Sequence, residues 1–327
     1  MNVTSRPEVL RPLGLGELLD RGVTLSVRFF VPLASLYVVF AVPYAFAQYF
    51  ATLDLQKTLN EFSKMIGVQA AGGPPVDPRA LAAILNHHPF VSPLFGLLLL
   101  ANFIIGPLPF AALIENTSAF YLGNTSTFPQ AYRVAFGRWA PLLGLNCLYL
   151  GAGIGLYVVV VVLALLLVLG LGFLTMAAHG VGIALSVIVG IAALLAAFAI
   201  AVLFILALET SYFTCVVERA PAVRSFTVGI RRVLGRVGLR RALFVGSAYI
   251  AVALGIAIIS GIGNAVIISL VHSTVLSAVY SLLLRIAVVI FLSAFFAIFY
   301  FDLRVREEGL DLQIAAQQAA SASLLPT

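Results

Sequence analysis

The chain has 327 residues, 62% hydrophobic and only 10% charged, with a mean hydropathy of +1.10 and a formal net charge of +6. Soluble domains carry about 25% charged residues, so the composition excludes a water-soluble globular protein, and the cations have to be read by their position relative to a membrane. Two cysteines, Cys147 and Cys215, are too few for a disulfide framework; both fall toward the cytoplasmic, reducing side and read as packing residues.

Residues 1–12 are polar and proline-punctuated, a flexible tail. Gly14 to Arg28 reads as an amphipathic helix lying in the headgroup layer, with Glu17 placed to pair with Arg21. The first crossing comes next, at about 29–50, with Pro43 inside it. Ala45-Phe46-Ala47 resembles a signal-peptide cleavage site, but a signal sequence totals about 15 to 30 residues, and here the crossing only begins at residue 29. Ala51 to His88 forms the long outer loop, expected to fold back as two short surface helices, one carrying Leu55, Leu59, Phe62 and Ile66 and one starting at Asp77-Pro78. The second crossing, about 89–114, holds Asn102, Pro107 and Pro109, which predict a kinked or unwound inner end.

Thr127-Phe128-Pro129-Gln130 is a capping-box start for a second amphipathic helix ending at Arg138. Trp139 to Leu208 then runs for seventy residues without one Asp, Glu, Lys or Arg. A crossing needs ~20 apolar residues, so this stretch holds the third and fourth crossings, about 139–174 and 181–208, with a turn at Thr175 to Gly180. Arg219 to Arg241 contains seven Arg and no acid. Crossings five and six, about 242–271 and 275–301, are joined by His272-Ser273-Thr274. Asp302 with Arg306 and Arg304 with Glu308 are spaced to extend the last helix into water as far as Gly309. The membrane domain is thus expected over 13–309, with a flexible tail over 310–327.

The fold class is all-α, a polytopic bundle of six spans with three amphipathic surface helices. Fifteen Lys and Arg lie on the side of the termini and only Lys57, Lys64 and Arg79 on the other, which places both termini in the cytoplasm of a prokaryotic plasma membrane. Gly22 to Val27 aligns without gaps on Ala131 to Phe136 and on Ser225 to Ile230, each segment preceding a pair of crossings and each with small residues at i and i+4. This alignment implies three repeated units of surface helix plus hairpin.

Leu10-Arg11-Pro12-Leu13-Gly14-Leu15-Gly16-Glu17-Leu18-Leu19-Asp20-Arg21 near the start and Tyr300-Phe301-Asp302-Leu303-Arg304-Val305-Arg306-Glu307-Glu308-Gly309-Leu310-Asp311 near the end resemble the bacterial and archaeal membrane-domain family of glycerophosphoryl diester phosphodiesterases. The resemblance implies a membrane fold and location. It implies no activity, since the family's catalytic barrel has no room in this chain.

Six of the seven clustered arginines, Arg224, Arg231, Arg232, Arg236, Arg240 and Arg241, are candidate contacts for anionic lipid headgroups; fixing topology is the plainer reading. Nucleic acid is not expected, because the patch lies against the bilayer without a binding module. Arg285 is the one charge inside a predicted crossing, placed either to snorkel outward or to pair with a polar group such as Asn264. Asn102, Asn146 and Asn264 are the remaining intramembrane polar candidates. His87, His88, His179 and His272 all fall at outer ends of crossings and lack a carboxylate or Cys at ligand spacing. Gly151, Gly155, Ser247, Ala251 and Gly255 are expected to pack helices. No catalytic constellation, metal site or cofactor motif is found. The first reading is therefore a non-catalytic membrane protein engaging lipids or a protein partner, and the second a transporter or permease. A polar cavity reaching the midplane would favour the transporter; a dry core would favour the first reading.

Overall fold

The computed structural model describes residues 11–70, 93–177 and 179–309, apart from some side chains in 52–70, 93–95 and 171–184. They form α1 (Leu15–Arg28), α2 (Phe30–Ala70), α3 (Pro93–Ile105), α4 (Pro107–Tyr121), α5 (Phe128–Gly137), α6 (Trp139–Ala177), α7 (His179–Val217), α8 (Ala222–Leu234), α9 (Arg236–Val266) and α10 (Thr274–Glu308). A single π-turn, Ile267–Val271, comes directly after α9. Six stretches, with α3 and α4 together forming one, are long and apolar enough to cross a membrane. The chain is a multi-pass, all-helical membrane protein.

The three amphipathic surface helices expected on the side of the termini are present as α1, α5 and α8. In α1, Glu17 accepts from Arg21 at 2.8 Å and from Arg11 at 2.7 Å. At the start of α5, Gln130 Oε1 accepts from the Thr127 N–H at 3.0 Å, the backbone half of the expected capping box. The last helix ends at Gly309 in the left-handed region, φ 60°, a conformation that costs glycine little. Its Asp302–Arg306 and Arg304–Glu308 pairs form at 3.1 and 2.9 Å.

The helices pack as three units whose contacts close a ring. α8 packs on α7 and α5 on α4, and α1 packs on the last crossing, α10. Every surface helix therefore rests on the second crossing of the preceding unit. The first crossings obey the same rule: α2 touches α4 and α10, α6 touches α7 and α4, and α9 touches α10 and α7. The second crossings α4, α7 and α10 meet one another at the centre, where Tyr121 stacks on Phe301 and Phe213 on Tyr300, each pair at 5.3 Å between ring centroids.

Small residues at i and i+4 make this docking work. Gly22 and Ser26 of α1, Ala131 and Ala135 of α5, and Ser225 and Gly229 of α8 are all buried. At Gly229 the approach is closest, since a Cβ there would lie 1.9 Å from Ser211 Oγ and 2.8 Å from its backbone nitrogen.

Three expectations are corrected. α2 does not stop at residue 50 but continues unbroken to Ala70, so the helical spacing of Leu55, Leu59, Phe62 and Ile66 belongs to that same helix; the short helix expected at Asp77 lies outside the described residues. Crossings two and four run to Tyr121 and Val217, beyond the expected 114 and 208, because the polar residues there bury against the surface helices. Gly151, Gly155 and Gly255 have nothing within 4 Å of a Cβ, and Ser247 and Ala251 are exposed. These five face outward from the chain, because α6 and α9 diverge from their neighbours beyond the packed end.

Candidate functional site

The site begins with two prolines. Proline has no N–H, so Pro107 and Pro109 cannot donate to the carbonyls of Phe103 and Ile105 four residues back. The helix breaks at Gly106 between α3 and α4, as the sequence predicts. Asn146 Nδ2 donates to the stranded Phe103 carbonyl at 3.0 Å, and Trp139 Nε1 donates to the neighbouring Ile104 carbonyl at 3.0 Å. Asn146 thus repairs a broken ladder, a use of neighbouring side chains that membrane helices require.

Beside the break lies a chamber of about 1030 Å³ to which all six crossings contribute, at the upper end of the ~300–1,000 Å³ typical of ligand pockets. Nine of its twenty lining residues are aromatic, and its polar lining includes Asn102, Asn146 and Glu209. The wall reaches Leu99 and Leu100 on α3 and Leu150 on α6, which are exposed, so the chamber opens sideways toward lipid between these helices. Tyr149, ten residues into α6 from Trp139, lies roughly 15 Å along the helix, about half of a ~30 Å hydrocarbon core. Its hydroxyl meets Ser211 Oγ at 2.7 Å, which sets Glu209 at nearly the same depth.

Glu209 was hidden in the sequence. It ends the seventy-residue uncharged run and looks like the edge of a crossing, yet α7 continues two turns past it. The signal lies downstream of it, because residues 210–217 contain no charge. The hydroxyls of Thr210, Ser211 and Thr214 each donate to the carbonyl four residues earlier, at 2.7, 2.8 and 2.9 Å, so they travel in an apolar helix at little cost. Arg285 is therefore not the only charge in a crossing: Glu115 of α4 and Glu209 of α7 lie in crossings too. One oxygen of Glu209, Oε2, is sealed from solvent and has no hydrogen-bond partner among the described residues.

The other polar candidates are satisfied locally. Asn264 Oδ1 accepts from Ser277 and Ser281, and its Nδ2 donates to the Ser260 carbonyl at 2.9 Å, tying the α9–α10 hairpin. Arg285 does not pair with Asn264. It is exposed, donates to Gln48 Oε1 at 3.1 Å and lies 5.6 Å from the Tyr44 ring centroid, beside a separate cleft of about 280 Å³ between α2 and α10. Asn102 is exposed along the chamber wall.

The arginine cluster divides in two. Arg232, 3% exposed, donates to Glu218, Glu308 and Thr214 Oγ1, while Tyr300 donates to Glu218. Burial pulls the Arg232 pKa down, but the Glu218 hydrogen bond, with Tyr300 and Glu308, more than offsets it and leaves the guanidinium above its ordinary value. Arg241 donates to the fully buried Asp302 at 2.8 Å and to the Leu13 carbonyl at 3.0 Å; Asp302 also accepts from the Leu13 N–H at 2.8 Å. These two arginines hold helices together and are unavailable to lipid. Arg224, Arg231, Arg236 and Arg240 are exposed and form no salt bridge among the described residues.

Among the described residues no three His, Cys, Asp or Glu side chains gather as a metal site. His87 and His88 lie outside the described residues, as does the side chain of His179, while His272 takes φ 53° where the α9 segment ends. Compared with known proteins, the chain matches no family model, no curated protein and no solved structure.

Proposed function

We propose that this plasma-membrane protein, with both termini in the cytoplasm, is a transporter or permease that takes a small amphiphilic molecule into the chamber. The observation that carries the reading is the chamber itself: six crossings contribute to it, it lies about half a hydrocarbon thickness in from Trp139, and its wall includes Glu209, whose buried Oε2 has no partner among the described residues. A dry core, the mark of a scaffold, would have no such space. The chamber offers one carboxylate, two amides and tyrosine hydroxyls, with no nucleophile set beside a base among its lining residues. A non-catalytic role in binding and moving a ligand suits this chemistry. Lipid engagement is compatible with it, because the four exposed arginines lie at the end where anionic headgroups would meet them.

The test is flux in proteoliposomes of ethidium, Nile red and fluorescein, a cation, a neutral dye and an anion. Saturable flux of at least one dye above empty liposomes is expected, and Leu208→Trp, which puts a bulky ring into the chamber beside Glu209, should abolish it while leaving the protein folded. Identical retention of all three dyes with and without protein would overturn the proposal.

A further inference from the structure

Resting on the chamber reading, we infer that the chamber selects lipophilic organic cations, held by Glu209 and the surrounding aromatic rings. Three observations converge. Among the described residues Glu209 is the one charged residue lining the chamber, and its buried Oε2 has no hydrogen-bond partner there. Tyr149, Phe204 and Tyr212 share the wall with it, so a ligand seated beside Glu209 also meets aromatic side chains. Arg285, the nearest unneutralised cation along α10, lines a different cleft and is engaged with Gln48 and Tyr44. A carboxylate away from water calls for a positive partner, and aromatic faces attract cations most strongly where water is excluded. An anion of the same shape would meet repulsion from the carboxylate and the negative ring faces alike. An inorganic cation would lose its hydration shell to a largely apolar wall, whereas a cation sheathed in hydrocarbon fits both features.

The experiment compares binding of tetraphenylphosphonium and tetraphenylborate, near-identical in shape and opposite in charge, to the full chain in nanodiscs of zwitterionic lipid. Empty nanodiscs and Leu208→Trp correct for partition into lipid. Saturable binding of the phosphonium and none of the borate is expected, with Glu209→Gln weakening the phosphonium on the order of tenfold or more and Phe204→Leu several-fold. Glu209→Asp, which keeps the charge, should retain most of the affinity, and circular dichroism and gel filtration should show each variant folded. Equal binding of both ions, or phosphonium binding unchanged in Glu209→Gln, would overturn the inference. Failure of both ions to bind would also overturn it, and the dye flux then decides the chamber separately: flux of any of the three dyes that Leu208→Trp blocks leaves that reading standing, and no flux removes both.

Discussion

At the arginine-rich end of the bundle, Leu113, Phe213, Phe299 and Tyr300 are buried, the Arg232–Glu308 ion pair ties α8 to α10, and the Leu13 N–H donates to Asp302 of α10. At the hairpin end of α6 and α7, Val162, Leu165, Ile188 and Leu194 are exposed although they are just as apolar. In water the second arrangement would collapse. In lipid, hydrocarbon tails solvate Leu and Val as well as another helix does, so apolarity alone draws no helices together. Association concentrates where small residues let backbones meet and where polar groups need partners. Both features are collected at one end, so the bundle is tight there and splays open beyond it, and the chamber lies at the transition.

The comparison is broken most severely by removing the anchor of the packed end. Asp302 is fully buried and receives Arg241, Arg306 and the Leu13 N–H. Asp302→Ala would leave the largely buried Arg241 with only the Leu13 carbonyl, and breaking a buried pair from one side costs about 3–5 kcal/mol. A large fall in the midpoint of detergent-driven unfolding is the expected result; a change below a kilocalorie would show that the network is merely superficial.

Next in size is Gly229→Val. Its Cβ would lie 1.9 Å from Ser211 Oγ and 2.8 Å from the Ser211 backbone nitrogen, well inside van der Waals contact, so α8 must move off α7, at a cost of at least about 1–3 kcal/mol. The same unfolding measurement should show it, and protease accessibility of the α7–α8 loop should rise. Unaltered stability would mean that α8 is not docked by close backbone approach.

Asn146→Ala tests the transition zone. It leaves the Phe103 carbonyl, already deprived of its partner by Pro107, without a donor. Interhelical hydrogen bonds in membranes average about 0.6 kcal/mol with a maximum near 1.7, and a loss near 1 kcal/mol is expected here. Dye flux should change as well, because α3 would lose its tether at the chamber wall.

The tight end was largely legible in the sequence and the open space was not. The repeat Gly22–Val27, Ala131–Phe136 and Ser225–Ile230 announces three docking helices, because the small pair recurs in an amphipathic segment at the same place before each pair of crossings. Pro107 and Pro109 announce the break, because a missing N–H is a local fact. The ring closure of α1 onto α10 is a contact between opposite ends of the chain, and no local pattern carries it. Glu209 escaped notice because hydropathy treats a carboxylate as a boundary, whereas the self-satisfied hydroxyls of Thr210, Ser211 and Thr214 carry the helix onward past it. The arginines could not be sorted from sequence, since burial of Arg232 and exposure of Arg231, one residue away, depend on where Glu218 and Glu308 arrive.

The smallest expected effect is the most direct probe of the splayed end. Gly155 on α6 and Gly255 on α9 look in sequence like packing glycines, yet a Cβ at either position meets nothing within 4 Å. Substituting Ala removes glycine's backbone freedom in a helix interior, a gain of up to about 1 kcal/mol in water; in lipid, where unpaired backbone is already disfavoured, the net change should fall within about ±0.5 kcal/mol. The double variant Gly155→Ala/Gly255→Ala should therefore unfold at the same detergent fraction as the parent. A loss of a kilocalorie or more would mean that these faces are covered in the membrane, a second copy of the chain being the candidate. Cross-linking through the exposed Cys147 on α6 would then distinguish such a dimer from an internal rearrangement.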